Sequence, residues 1–361
     1  MHRLFQRREG GSIRTSVLPS LSLSYSPVQL SPTHRLSSFP VKRFSTSSTP
    51  LLPLDDNWHR AHVVKIIETS GSARRITFRA ETSGTGQFTF LAGQWVDLEI
   101  PVAPGEEEFP IGGYSLASPD ASCSKNERLL KLFSFPYLPN FELGIKKARK
   151  HPTTNHLHSK LQVGDRVNVK VGGRAFPEPL GLLINRLKAR GVKARGVNRE
   201  HVLMIAGGVG ITPLYSMMLS LLSAKMDELD LQIKISLIYS AQSEADFLFL
   251  EELKVLQKHF QNSVKNGADS ALSLFFLTAT GREEMNVSQL KPWTESLQEI
   301  NHGQLNRERL LNLVKAEENT STQTCTTSCF VCGPPSLIDD VVKFAENSRS
   351  TPKLDVFHEK W

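Results

Sequence analysis

His201-Val-Leu-Met-Ile-Ala-Gly-Gly-Val-Gly-Ile-Thr-Pro213 reads as a buried strand that breaks into a glycine turn and continues as a helix. Val202 to Ala206 is the strand, and Thr212 is placed to cap the helix with Pro213 in its first position. Leu214, Met217, Met218, Leu221 and Leu222 then recur at helical spacing and mark one apolar face. Gly207, Gly208 and Gly210 fall at the turn, where missing side chains let backbone N–H groups approach a phosphate. The helix dipole there favours an anion by roughly 0.3 to 1 kcal/mol. A glycine turn can also do no more than join a strand to a helix, so this segment alone leaves both readings open.

A second turn shifts the balance. Phe330-Val-Cys-Gly-Pro-Pro335 closes a late strand and opens another helix, with Ser336 near enough to cap it. Around these two segments apolar strands alternate with helix-period stretches. The strands are Leu231 to Tyr239, Ser273 to Thr278, Cys329 to Val331 and Leu354 to His358, and Ala245 to Phe260 is a helix. Such alternation predicts an α/β domain with a doubly wound parallel sheet over residues 201–361, in which both turns lie at the carboxyl edge where ligands bind.

Upstream the rhythm is different. His62 to Ile67, Arg75 to Phe78, Gln94 to Ile100, Leu129 to Phe135 and Arg166 to Val171 are short alternating or β-branched runs punctuated by Gly, Pro and Ser. They predict an antiparallel β-barrel or sandwich over residues 57–180. Residues 181–200, with the near-repeat Lys188-Ala-Arg-Gly-Val192 and Lys193-Ala-Arg-Gly-Val197, read as a basic linker. Gly281 to Gly303 reads as an exposed excursion.

The charge is unevenly distributed. Between Met1 and Ser48 seven cations (Arg3, Arg7, Arg8, Arg14, Arg35, Lys42 and Arg43) stand against Glu9, a net +6. Of the chain's formal +7, the remaining residues therefore carry only +1, which excludes a general nucleic-acid binder. An Arg- and Ser-rich arm nearly free of acid has the composition of a mitochondrial transit peptide, with Arg43-Phe44-Ser45 as a processing point. A matrix location is the expectation. A secretory signal is the alternative, opposed by the short, Pro-broken apolar stretch from Val17 to Leu23. No run of eighteen apolar residues occurs, so no transmembrane segment is expected.

Cys123, Cys325, Cys329 and Cys332 make no disulfide framework in a chain of 361 residues. Cys325-x3-Cys329-x2-Cys332 resembles part of a metal or cluster set, but the first gap is one residue short of a plant-type cluster and no fourth ligand follows. The expectation is no metal, with thiols near one strand.

Ala206-Gly-Gly-Val-Gly-Ile-Thr-Pro213 paired with Cys332-Gly-Pro-Pro335 resembles the ferredoxin–NADP reductase superfamily, and the parts from about Asn57 to Trp361 follow its order. The resemblance implies a flavin-holding barrel and an NAD(P)-binding domain. It also implies that Gly207, Gly208, Val209, Gly210, Ile211, Thr212, Gly333 and Pro334 hold the dinucleotide, with Cys332 beside the nicotinamide. After the second strand stands Tyr239-Ser240-Ala241-Gln242-Ser243, with no Arg to grip a 2′-phosphate, so NADH is expected over NADPH.

On the barrel, Phe90-x-x-Gly93-Gln94 and Gly112-Gly113-Tyr114-Ser115 resemble the superfamily's early strand and its Arg-x-Tyr-Ser pattern. Tyr114 would pack on the flavin ring and Ser115 would bond its reactive nitrogen, but Gly112 replaces the arginine that pairs with flavin phosphate. That removes a contact worth roughly 1.5 to 3 kcal/mol. Partial compensation is expected from Thr154, placed to cap a helix facing the phosphate, and from Lys146, Lys147, Arg149 and Lys150. At the end of the chain Trp361 matches the superfamily's flavin-covering aromatic, and core filling is its other reading.

The resemblance implies an NADH-dependent flavoprotein reductase, with FAD or FMN as second cofactor and Ser115, Cys332 and Trp361 at the reacting centre. Its electron acceptor is open, a protein being one option. The rival is an NADH-binding sensor or scaffold with a degenerate flavin site.

Overall fold

The computed structural model describes residues 57–70, 72–81, 87–102, 108–121, 123, 138–148, 150–173, 175–191, 200–227, 233–262, 272–278, 301–302, 327–347 and 354–359. In these segments the change of rhythm in the sequence corresponds to two sheets of different construction.

The first is built from β1 (His59–Ser70), β2 (Ala73–Ala80), β3 (Trp95–Glu99), β4 (Gly112–Ser115), β5 (Asn140–Lys146) and β6 (Arg166–Gly172). Its order is β4-β3-β6-β1-β2-β5, and the paired strands run antiparallel. Just past β4, Leu116 bridges Leu143 of β5, and Ala117 N–H donates to Glu142 O at 2.8 Å. Those contacts join the two edge strands and close the sheet into the expected barrel. Burial alternates along β3 and β6, sending Val96, Leu98, Val167, Val169 and Val171 inward to meet Ile76, Phe78, Phe141 and Leu143. The helix α1 (Pro152–Ser159) lies between β5 and β6.

The second sheet has the order β10-β9-β8-β7-β11-β12 and is parallel throughout. Its strands are β7 (Glu200–Gly207), β8 (Ile233–Ala241), β9 (Leu272–Thr278), β10 (Asn301–His302), β11 (Thr327–Cys332) and β12 (Leu354–Glu359). Every residue of β7 and β11 is buried, as both faces of a covered parallel strand require. On one face lie α2 (Pro177–Gly191), α3 (Ile211–Asp227) and α4 (Leu250–Asn262), and on the other α5 (Pro335–Asn347). The chain runs outward from β7 through β8 and β9, then returns to place β11 on the other side of β7. The β7/β11 boundary is therefore the point at which strand order reverses, the place where open α/β sheets bind ligands.

Three local expectations are corrected. Residues 177–191 are helical, and Leu180, Leu183 and Leu187 enter the core of the second sheet, so the first half of the stretch read as a basic linker is part of α2. The helix expected from Ala245 starts at Leu250 instead. Residues Glu244–Asp246 make a single tight turn, and Phe249 adopts φ 60, which interrupts helical geometry. β4 and β5 were not anticipated, since Gly112-Gly-Tyr-Ser and the mixed Asn140–Lys146 run lack a clear alternation. Both halves of the Lys-Ala-Arg-Gly-Val near-repeat, together with Gly281–Ile300 and Leu129–Phe135, lie outside the residues whose side chains are described.

Candidate functional site

At the end of β7, Gly208–Gly210 forms one tight turn and α3 begins at Ile211, two residues earlier than a Thr212 cap would allow. The Thr212 hydroxyl instead donates back to Val209 O at 2.6 Å, and Ile211 N–H reaches Gly208 O and Val209 O. Thr212 therefore staples the turn rather than capping the helix.

Glycine is required here by crowding at one position and by backbone conformation at another. A β-carbon on Gly210 would stand 2.2 Å from the Cys332 carbonyl oxygen and 2.8 Å from Gly333 N. Gly208, at φ 56, has nothing within 4 Å of where its β-carbon would be. It is thus the bare, open point of the turn, while Gly210 is where the two turns touch. The second turn follows from register: Cys332 pairs with Ala206, so Gly333 emerges beside Gly207. The helix α5 starts at Pro335, and Pro334 O accepts from Ile338 N–H at 3.2 Å. Ser336 lies inside the first turn of α5 and does not precede it.

A cleft of about 770 Å³ opens over both turns and reaches the barrel. Its walls carry Gly207 to Gly210, Thr212, Gly333 to Leu337 and Asp340 on one side, and Gly112 to Ser115, Gly144 to Lys146, His151 and Thr154 on the other. Ser240, Ala241 and Gln242 at the end of β8 complete it. Of the residues singled out in the sequence, Gly207, Gly208, Val209, Gly210, Thr212, Gly333, Pro334, Tyr114, Ser115 and Thr154 are brought together here. Ile211 is fully buried beneath the turn. Cys332 is also fully buried and does not line the cleft, its carbonyl being pressed against Gly210. Trp361 lies outside the described residues.

The barrel wall has its own logic. Tyr114 lies back along β4 over Gly112, so that a β-carbon on Gly112 would meet the phenol oxygen at 2.6 Å and the ring at 2.7 Å. The hydroxyl is tied to Thr154 Oγ1 at 3.0 Å, and burial raises the phenol's pKa, so it stays neutral. Thr154 is not the cap of α1. His151 caps it, its Nδ1 accepting from Thr154 N–H at 3.4 Å and lying 3.3 Å from Thr154 Oγ1. Tyr114, Thr154 and His151 thus form a continuous polar chain along the cleft. His151 was missed in the sequence, although the following Pro152 marks a helix start.

The two cofactors fare differently against these walls. For a dinucleotide the fit is direct: bare backbone at Gly208, two turns in contact at a topological switch point, and no cation among residues 239–243. For a flavin, Tyr114 and Ser115 face the cleft and Lys146 and His151 supply polar groups, but position 112 is filled by the tyrosine ring and has no guanidinium.

Of the cysteine pattern, Cys325 lies outside the described residues, while Cys329 and Cys332 are both in β11. Residues three apart in a strand point to opposite faces, so Cys329 packs against α5 while Cys332 packs on the α3 side. Burial pushes the Cys329 thiol up to about 12. At the end of β12, burial pushes the Glu359 carboxyl up to about 7, opposed by a hydrogen bond with Trp95 of the barrel.

Residues 204–270 match the oxidoreductase NAD-binding domain family. Over most of its length the chain is similar to oxidoreductase NAD-binding domain-containing protein 1 of Xenopus tropicalis, 27% identical over 308 residues, which cover 83% of this chain and 78% of that protein. It superposes on a ferredoxin–NADP reductase from Neisseria gonorrhoeae with bound FAD and NADP, with TM-score 0.55, 15% identity and coverage of 83% of this chain and 98% of that one. The cytochrome b5 reductase domain of Ulva prolifera nitrate reductase gives TM-score 0.51 at 19% identity, covering 84% of this chain and 98% of that domain. These two structures establish the fold: a barrel of the flavin-binding kind followed by an α/β domain of the NAD-binding kind.

Proposed function

Starting from the two-domain fold of the ferredoxin–NADP reductases, we propose that this chain is an NADH-dependent flavoprotein reductase. The observation that carries the reading is that the glycine turn after β7, the Gly333–Pro334 turn after β11 and the Tyr114–Ser115 edge of the barrel all line one cleft. In this reading Gly207 to Thr212, Gly333 and Pro334 hold the dinucleotide through backbone groups. Tyr114 and Ser115 face the flavin ring, and His151 and Lys146 stand at its polar end. Cys332, buried behind the Gly210 contact, shapes the floor of the reacting centre, and Trp361 would cover it. The cofactors supply hydride acceptance and onward electron transfer; the protein binds, orients and excludes water. NADH is favoured over NADPH because Ser240, Ala241 and Gln242 offer no cation to a 2′-phosphate.

The test is the absorbance spectrum of the purified protein, alone and with added FAD or FMN, followed by anaerobic NADH and then an artificial electron acceptor. Flavin uptake with bleaching by NADH supports the reading. Failure to take up either flavin removes it in favour of an NADH-binding sensor, the reading that Gly112 favours. We also assign residues 1–48 as a mitochondrial targeting arm, on their composition. Import of a reporter bearing this arm into isolated mitochondria is the expected result, and secretion or a diffuse cytosolic signal would refute it.

A further inference from the structure

We infer that Arg75 is a positioning residue that clamps the α/β domain onto the barrel directly behind the point where the two cofactor walls meet. The inference rests on the oxidoreductase reading for its functional consequence, while the clamp itself is a matter of geometry.

Arg75 lies in β2, directly opposite Gly144 of β5. Its Nε bonds Glu142 Oε1 at 2.5 Å and its Nη2 reaches Glu142 Oε2 at 3.3 Å, a two-pronged pair within the barrel. The remaining arm, Nη1, bonds Glu252 Oε1 at 2.5 Å, and Glu252 belongs to α4 of the other domain. The guanidinium carbon also sits 4.3 Å from the centre of the Phe249 ring. Phe249 is stacked on Tyr215 of α3, with centroids 4.4 Å apart and planes within 11°. It is fully buried at φ 60, a conformation a bulky residue holds only where its surroundings impose it. One side chain therefore grips both domains by charge and by the face of a strained aromatic.

The location gives the clamp its function. Gly144, the strand partner of Arg75, is where the barrel touches the dinucleotide turn: a β-carbon there would meet Thr212 Oγ1 at 2.8 Å and Leu248 at 3.1 Å. Leu248 is itself held, its N–H donating to the Tyr239 hydroxyl oxygen at 2.9 Å. A second bond, Ser72 Oγ to Asp246 Oδ1 at 2.7 Å, ties the β1–β2 turn to the same loop. Arg75 itself does not line the cleft. Its effect would be to set the separation of the two walls, and a misplacement of about 1 Å between reacting groups can cost on the order of a hundredfold in rate.

The test uses the full chain and two variants. Glu252→Ala cuts only the arm to α4 and leaves the Arg75–Glu142 pair in place. Arg75→Met combined with Glu142→Gln removes the cation without stranding a buried carboxylate. Expected for both are NADH and flavin dissociation constants within about threefold of wild type, flavin reduction slowed at least tenfold at saturating NADH, and urea unfolding that separates into two transitions. A loss confined to NADH affinity, or unchanged reduction with a single unfolding transition, overturns the inference. If wild type takes up no flavin, the oxidoreductase reading fails while the unfolding measurement still decides the clamp.

Discussion

Replacing Gly210 with alanine should weaken dinucleotide binding and destabilise the α/β domain together. The added β-carbon would lie 2.2 Å from the Cys332 oxygen, 2.5 Å from its carbonyl carbon and 2.8 Å from Gly333 N, all of them backbone atoms. Non-bonded contacts settle at about 3.5 Å, so the two turns must part by roughly 1 Å. Forcing a methyl into such a place typically costs about 1 to 3 kcal/mol. In a domain of this size that lowers the melting temperature by about 2 to 4 °C per kcal/mol. If the parted turns also lose one backbone contact to the diphosphate, affinity falls by about 1 to 3 kcal/mol, roughly 5- to 150-fold. NADH fluorescence titration and thermal melting read the two effects on one sample. Gly164→Ala is the control: at φ 96 with nothing within 4 Å it carries backbone strain without crowding and stands away from the cleft. It should melt lower and bind NADH as wild type does. The reasoning is refuted if Gly210→Ala binds NADH within twofold of wild type and melts within a degree of it.

Gly112→Arg should not tighten flavin binding, because the new side chain must evict the Tyr114 ring and break its bond to Thr154; a tenfold gain in flavin affinity by fluorescence titration would show that the site lacks only its arginine. Cys329 should resist thiol reagents in the native protein at neutral pH, since burial leaves almost no thiolate; residue-resolved mass spectrometry after labelling checks this, and native-state modification of Cys329 would contradict it. Glu359 has a folded pKa of about 7 against an ordinary 4.5, raised mainly by burial, so the folded state binds the extra proton. Its contribution is fully present below about pH 4.5 and is lost as pH rises through about 7. Glu359→Gln should flatten that part of the stability profile in urea titrations, and an unchanged slope would count against the assignment.

Long periodic elements were legible in the sequence because their side-chain pattern is their cause. Val202 to Ala206 reads as a strand since both faces are covered, and Arg166 to Val171 since one face is. The turn glycines were legible because their bare backbone is itself the feature. Short or mixed segments were not: β4 consists of Gly-Gly-Tyr-Ser and owes its strand geometry to pairing with β3. The caps went wrong at Thr212, Ser336 and Thr154 for a related reason. Each is a residue type that caps helices, yet Thr212 bonds back to Val209 O, Ser336 falls inside the first turn of α5, and His151 takes the capping role from Thr154, differences that only the three-dimensional contacts decide.

The order of parts, the parallel α/β half and the two glycine turns were thus set by local chemistry, in which each residue's own shape and polarity suffice. Three things depended on residues far apart in the chain: the meeting of Gly210 with Cys332, the folding of Tyr114 onto Gly112 beneath Thr154, and the grip of Arg75 on Glu142, Glu252 and Phe249. Such contacts join positions up to 177 residues apart. No pattern along one strand or helix encodes them, because they arise only when separate elements pack.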